Sequence, residues 1–349
     1  MKKYGLTFVP IGDSIDFIDE ENPGQTVVNN FTIMIDFYLG PLRGLSSETL
    51  ATHTLGELLD SVLGKEKAEE FYIQFPYYSE IHVLRADLAL KSFDKEMGTY
   101  DGFGVCKEGL SSIIDGMVGD FTRMGGEIIK NTEIVGVHKG GDGVLIDCKS
   151  GVVYSGKAVV LALHRDAVKE IRGVSGLDVL KHLEMTPLLR TYAIFPVKGG
   201  KSWFSGMNKI VTDSPIRYIL PMDASRGIVM ISYTDGADAE YWIMRDKKAG
   251  ELEKGIMKEI RCLFPGVSIP DPIFFKQHPW YEGCTYWLPG QYNVEDESRA
   301  SLWPLGSRMP GLFMCGESFA VHQCWMESAL RQADKLLGYA EFKRALNTN

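Results

Sequence analysis

The stretch Val152-Val153-Tyr154-Ser155-Gly156-Lys157-Ala158-Val159-Val160-Leu161-Ala162-Leu163 decides the fold. Its second half is apolar on consecutive residues, the pattern of a strand buried on both faces, and its first half reads as the third strand of a meander. The two strands before it are Ile134-Val135-Gly136-Val137-His138 and Val144-Leu145-Ile146-Asp147-Cys148, joined by the turn Gly140-Gly141-Asp142-Gly143. Further upstream, Leu110, Ile113, Ile114, Met117, Val118 and Phe121 fall on one helical face, and Gly125-Gly126 stops that helix. The order is helix, β-meander, buried strand. The same kind of strand returns at Gly311-Leu312-Phe313-Met314-Cys315. A final helix follows, whose Met326, Ala329, Leu330, Ala333, Leu336 and Leu337 share a face.

Around this frame the pattern changes twice. Near the start, Thr54-Leu55-Gly56-Glu57 has capping-box spacing, and Leu55, Leu58, Leu59, Val62 and Leu63 then line one helical face. Between residues 191 and 234, the runs Tyr192–Val197, Ile216–Pro221 and Ile228–Tyr233 predict a separate, mostly antiparallel sheet. A helix with Leu252, Ile256, Ile260 and Leu263 on one face follows and is closed by Pro265-Gly266.

Composition removes several classes of function. Of 349 residues, 45% are hydrophobic and 24% charged, as in a folded domain rather than a disordered tail or a disulfide-stapled scaffold. Lys plus Arg is 37 against 46 Asp plus Glu, a formal net charge of −9, which with no long basic run argues against nucleic-acid binding. The longest clean apolar run is Ala158–Leu163, far short of the roughly 20 residues of a membrane helix. Pro10, Gly12 and Asp13 interrupt any signal-peptide core. The six cysteines (106, 148, 262, 284, 315, 324) include no CxxC pair, so reduced thiols and a cytoplasmic location are expected. The histidines (53, 82, 138, 164, 182, 278, 322) have neither metal-ligand nor triad spacing, so no metal is expected, and a Gly-x-Ser-x-Gly nucleophile elbow is absent.

Two sequence blocks carry a family resemblance. Glu108-Gly109-Leu110, Asn131-Thr132-Glu133-Ile134 and Val159–Leu163 form one; Gly316-Glu317, with Trp325 eight residues after the Glu and then Met326-Glu327-Ser328-Ala329, forms the other. Together they resemble the flavin-containing amine oxidases, which include monoamine, polyamine and L-amino-acid oxidases. The resemblance implies an α/β (α+β) fold in which an FAD-binding domain is interleaved with a substrate domain of mixed sheet and helices. Mapped here, residues 1–104 and 173–302 form the substrate domain, and residues 105–172 and 303–349 the FAD-binding one.

The resemblance also implies roles. Glu317 after Gly316 meets the ribityl hydroxyls, the helix start at Met326 faces the flavin pyrimidine carbonyl, and Ile134 meets adenine through its backbone. The segment Trp280–Gly290 resembles the part of the family that supplies an aromatic wall, so Trp287 or Tyr286 facing Trp325 forms an amine cage. Cys284 lies near the position where monoamine oxidases attach flavin covalently, but its spacing to Pro289-Gly290 is shorter, and noncovalent binding is expected. The run around Arg190, Ile216-Arg217-Tyr218 and Ile231–Gly236 looks like a subgroup found in large algal viruses and related eukaryotes, and for a viral member the location is host cytoplasm.

Two departures matter. The family's opening strand, GxGxxG and acidic residue have no counterpart; the segment Asp101–Gly109 lacks the third glycine spacing, and Tyr4–Pro10 resembles the family's stretch just after that unit. The FAD-binding domain is therefore read as incomplete. Where the family places a Lys near the flavin, this sequence has Arg190, always charged and fork-shaped, which cannot act as a tunable base but suits a substrate carboxylate. Arg217 is a second candidate clamp, and a structural ion pair is the other reading of each. The expected activity is FAD-dependent oxidation of a primary or secondary amine or amino acid to an imine, with oxygen as acceptor. The alternatives are a flavin-free binding or structural module, with a homodimer covering the open edge, or one subunit of a two-chain oxidase whose partner supplies the GxGxxG unit.

Overall fold

The computed structural model describes residues 1–96, 104–141, 143–246, 248 and 250–347. Asp101, Gly102 and Phe103 of the glycine-bearing segment, and Asp142 of the meander turn, lie outside the described residues.

The expected antiparallel strands join a larger sheet. Its seven strands run in the order β13 (Phe274–Trp287), β9 (Leu183–Ile194), β12 (Ile228–Asp235), β11 (Tyr218–Asp223), β10 (Lys209–Thr212), β2 (Ile15–Ile18) and β3 (Val27–Val28). All neighbours are antiparallel except β10 and β2. Alternation along β9 sorts its faces: Leu189, Thr191 and Ala193 are buried, while Arg190, Tyr192 and Ile194 are only half-buried. The buried face packs on the helix Glu251–Leu263, whose Ile256 and Ile260 are wholly enclosed. β13 reads as an aromatic segment in the sequence but is a long strand bent by a bulge between Trp280 and Cys284. Gly283 is required there, because a Cβ would collide with Leu188.

Between Phe31 and Glu96 the chain is a series of helices. The Thr54 box forms as expected: its hydroxyl accepts from the Glu57 N–H at 3.2 Å, and Glu57 accepts from the Thr54 N–H at 2.8 Å. Phe31, Phe71, Phe75 and Phe93 stack edge and face among the helices around it.

The helix–meander–strand frame is present with one revision. β5 (Ile134–Lys139), β6 (Val144–Cys148) and β7 (Val153–Gly156) form the meander, but the chain turns at Lys157. β8 (Val159–Leu161) then leaves for a different sheet, a parallel pair with β14 (Leu312–Met314). β14 is wholly buried, and in β8 Val159 and Leu161 are buried while Val160 is partly so. A further pair, β1 (Phe8–Pro10) with β4 (Gly104–Cys106), ties the start of the chain to the segment before the meander. One apolar cluster includes Leu55 and Tyr286 together with Val137, Val159 and Leu312, so the core is continuous across the domain division drawn from sequence.

Two expected burial faces are corrected. The helix Ser111–Arg123 forms, yet none of its residues is buried, and Ile114, Met117, Val118 and Phe121 face outward. It is fastened along another side, where Gly116 admits the Tyr4 ring and the Tyr4 hydroxyl donates to Asp120 at 3.1 Å. The closing helix, Met326–Gly338, buries Ser328, Gln332 and Leu336 while Met326, Leu330 and Leu337 are exposed. Gln332 decides that orientation: its amide donates to the Phe319 carbonyl and the Ser298 hydroxyl, each at 2.7 Å, and both bonds are inside the protein. Among the described residues no helix is long and apolar enough to cross a membrane.

Candidate active site

The site grows from the end of β14. The chain leaves that buried strand through Gly316, whose φ of +138° is one that a side chain resists. Glu317 follows, and its carboxylate braces the loop that leads to the last long helix. One oxygen accepts from the Cys324 N–H at 2.6 Å, and the other lies 3.4 Å from the Thr285 hydroxyl of β13. Burial raises the Glu317 pKa above its ordinary value, and these hydrogen bonds act against it.

The same loop is sewn to β13 at further points. The Trp287 N–H donates to the Gln323 side chain at 2.8 Å, the Trp287 ring N–H to the Ala320 carbonyl at 2.8 Å, and the Cys324 thiol to the Thr285 carbonyl at 3.7 Å. Cys324 sits in the left-handed region at φ +71°, held there by its neighbours. Trp325 then caps the helix with no side-chain hydrogen bond to the first turn, and Trp325 and Met326 are both more than half exposed. An uncapped, accessible helix start presents free N–H groups and the positive end of the dipole.

Tyr286 and Trp325 line one cavity, together with Glu80, Leu88, His322 and Cys324. Its volume of about 20 Å³ accommodates a water molecule and not a ring. Burial pushes the Tyr286 phenol well above its ordinary pKa, so it stays a neutral hydrogen-bonding group. His322, on the rim, contacts Lys95 Nζ at 2.6 Å, and burial lowers its pKa. Trp287 is a correction to the aromatic cage: it is wholly buried, with both nitrogens committed to the loop. It is a pillar and not a wall.

The two arginines part company. Arg217 donates to the carbonyls of Tyr72, Ile73, Phe75 and Thr212 and pairs with Asp238 at 3.2 Å. Those bonds occupy its fork, which corrects the expectation that it could clamp a substrate. Arg190 lies on β9 opposite Tyr233 on one side and His278 on the other. Its guanidinium stacks 3.7 Å from the centre of the Tyr233 ring and touches Met230 sulfur at 3.8 Å. It has no carboxylate in ion-pair range among the described residues. Neither Arg190 nor Tyr233 lines the cavity beside Tyr286. Ile134 opens β5 opposite Cys148, half-buried at the edge of the core.

Sequence reasoning missed Glu80, Thr285, Gln323 and Cys324. Only Cys324 had a signal, its place directly before the expected helix start. Thr285 and Gln323 matter through the loop-to-strand seam, which no local pattern announces.

A sequence model described as flavin-containing amine oxidoreductase matches residues 16–335, nearly the whole chain. The chain belongs to that family. Among solved structures, cyclohexylamine oxidase from Brevibacterium oxydans IH-35A superposes with a TM-score of 0.72 at 14% identity, over 99% of this chain and 84% of that one. A putrescine oxidase redesigned in its cofactor binding gives 0.69 at 13% identity, over 99% and 83%. At such identities the likeness is one of fold. No curated protein matches the sequence.

For a family defined by flavin, the residues fit in part. Gly316, Glu317 and the free helix start suit the ring and ribityl end. The phosphate end has no cradle among the described residues: the turn after β8 is Ala162-Leu163-His164, without glycine, and leads into the five-residue helix Arg165–Lys169, whose start the His164 ring already caps. Among the described residues no cluster could hold a metal ion.

Proposed function

We propose that this family member oxidises amines with FAD, converting a primary or secondary amine or an amino acid to its imine with oxygen as acceptor. The observation that carries the reading is the uncapped, exposed start of the Met326–Gly338 helix, held by the Glu317-braced loop. Flavin, when bound, accepts a hydride equivalent from the carbon beside the amine nitrogen.

The chain's own residues do the rest. The Met326 N–H and the helix dipole favour negative charge at the pyrimidine carbonyl. Glu317 accepts from ribityl hydroxyls, and the main chain of Ile134 receives adenine. Trp325 and Tyr286 are the aromatic walls that exclude water once the small cavity between them widens, and Trp287 anchors the loop beside them. Arg190, stacked but without a carboxylate partner among the described residues, takes the carboxylate of an amino acid substrate.

The absent phosphate cradle favours a second reading, in which a polypeptide outside residues 1–349 supplies the dinucleotide-binding unit. One experiment separates the two. The chain is incubated with excess FAD, passed through gel filtration, and its visible spectrum recorded. Flavin bands eluting with the protein in near-equal amount support the self-contained oxidase, and a screen of amines against their α-carboxylated counterparts then tests Arg190. Complete loss of flavin overturns the self-contained reading and directs the search to a partner chain or to a flavin-free module.

A further inference from the structure

Two cysteines distant in sequence meet at the loop-to-strand seam. Cys284 lies just after the β13 bulge, and Cys324 directly precedes the cap of the Met326–Gly338 helix. The Cys324 thiol donates to the carbonyl of Thr285 at 3.7 Å, the residue next to Cys284, and Cys284 is the largest influence on its ionisation. Both side chains pack into the same apolar cluster, and both are free thiols. The remaining cysteines have other surroundings: Cys106 points at Glu108, Cys262 is exposed, and Cys148 and Cys315 are buried in different parts of the core.

We propose that Cys284 and Cys324 form a dithiol site that small disulfides, such as oxidised glutathione, convert to an intramolecular disulfide joining β13 to the helix start. The thiolate of Cys284, a half-buried residue, attacks one sulfur of the small disulfide. A mixed disulfide forms and one small thiolate leaves. The sulfur of Cys324, surrendering its proton to solvent, then attacks Cys284 and displaces the second small thiolate. The pair loses two electrons and two protons, and the small disulfide is reduced to two thiols. The order of attack follows from the geometry: the Cys324 thiol is held in the seam by the Thr285 carbonyl, so Cys284 attacks first, and Cys324 attacks once its proton has left.

The bridge would close a seam that Glu317, Gln323 and Trp287 already hold nearly shut. It fixes Cys324, whose left-handed backbone sets the direction in which the helix begins. Oxidation state would therefore govern how freely the free N–H groups at Met326 can move towards or away from a ligand.

The test needs neither flavin nor an amine, so its outcome does not depend on the proposed oxidase activity. The folded chain is treated with oxidised glutathione, its remaining thiols are alkylated, and it is digested without reduction for mass spectrometry. The expected result is a peptide pair linked through Cys284 and Cys324, with two of the six alkylation sites lost and regained after dithiothreitol. In Cys324→Ser, glutathione remains attached to Cys284 instead of being displaced; a circular-dichroism spectrum matching the parent verifies that this variant folds. Alkylation of both cysteines in the treated parent protein, or a separate glutathione on each, overturns the proposal without recourse to any variant.

Discussion

Two helices of thirteen residues have opposite fates in this molecule. Glu251–Leu263 buries Leu252, Ile256, Met257, Ile260 and Leu263 against the seven-stranded sheet. Ser111–Arg123 carries an apolar stripe of similar width and buries none of it. The difference lies in what the rest of the chain provides. A wide twisted sheet offers the first helix a complementary apolar face, whereas the second is fastened to the start of the chain through Tyr4. Periodicity specifies that a helix forms and which face seeks cover; whether cover exists is a property of the whole assembly.

The largest effect that could break this contrast concerns Arg217, inside the well-packed region. Arg217→Met strands four main-chain carbonyls and Asp238 without their donor. A loss of about 3–5 kcal/mol is expected, since the carbonyls lose their donor and half-buried Asp238 its cation. Arg190→Met removes a stacked cation with no carboxylate partner among the described residues and is expected to cost about 1 kcal/mol or less. Urea midpoints of the two variants measure the gap. Equal losses would mean that Arg190 is as deeply committed to the fold as Arg217.

Next in size is the packed helix itself. Ile256→Ala removes a wholly enclosed side chain, and about 2–5 kcal/mol of stability should go with it. A loss under about 1 kcal/mol, read from the same denaturation curves, would show that the sheet–helix contact is looser than the buried surface indicates.

A third prediction uses pH. Asp235 accepts from the Tyr78 and Ser79 N–H groups at 3.0 and 2.8 Å, yet burial pushes its pKa up from 3.8 to about 6. Between those values the folded chain holds a proton that the unfolded chain has released, so this group's contribution to stability falls as pH rises through that window. Urea midpoints taken from about pH 4 to about pH 6 should show this decline in the parent and a shallower one in Asp235→Asn. Parallel slopes would mean that the two N–H donors outweigh burial and keep the carboxylate ionised.

The sequence made much of this legible, for identifiable reasons. The capping box at Thr54 is local and formed as read. The meander was readable because alternation and turn glycines act over a few residues. The break at Lys157 was not, since a strand that changes sheets looks continuous in hydropathy. At the site, the spacing from Glu317 to Trp325 and Met326 marked the turn and the helix start. The commitment of Trp287 and Arg217 to structural bonds was hidden, because it depends on carbonyls and amides contributed by remote segments. The closing helix is rotated for a related reason: Leu336 of the expected face is buried, but Gln332 and Ser328 join it where Leu330 and Leu337 were expected, because Gln332 finds its hydrogen bonds inside.

The smallest effect is also the one that sharpens the comparison most. Ile114 lies midway along the uncovered stripe and is 53% exposed, so Ile114→Ala should change stability by no more than about 0.5 kcal/mol. Ile114→Lys should be tolerated equally in the isolated chain, because a solvated helix face accepts a charge at little cost. The same pair of variants would behave differently if another polypeptide covered the stripe: truncation would then cost what it costs at Ile256, and the lysine would be worse than the alanine. Denaturation of both variants at low and high protein concentration distinguishes the cases. Near-neutral values at both concentrations mean that the helix stands bare in solution. A penalty that appears only at high concentration means that copies of the chain cover it, and the contrast between the two helices would then be one of occupancy rather than of packing.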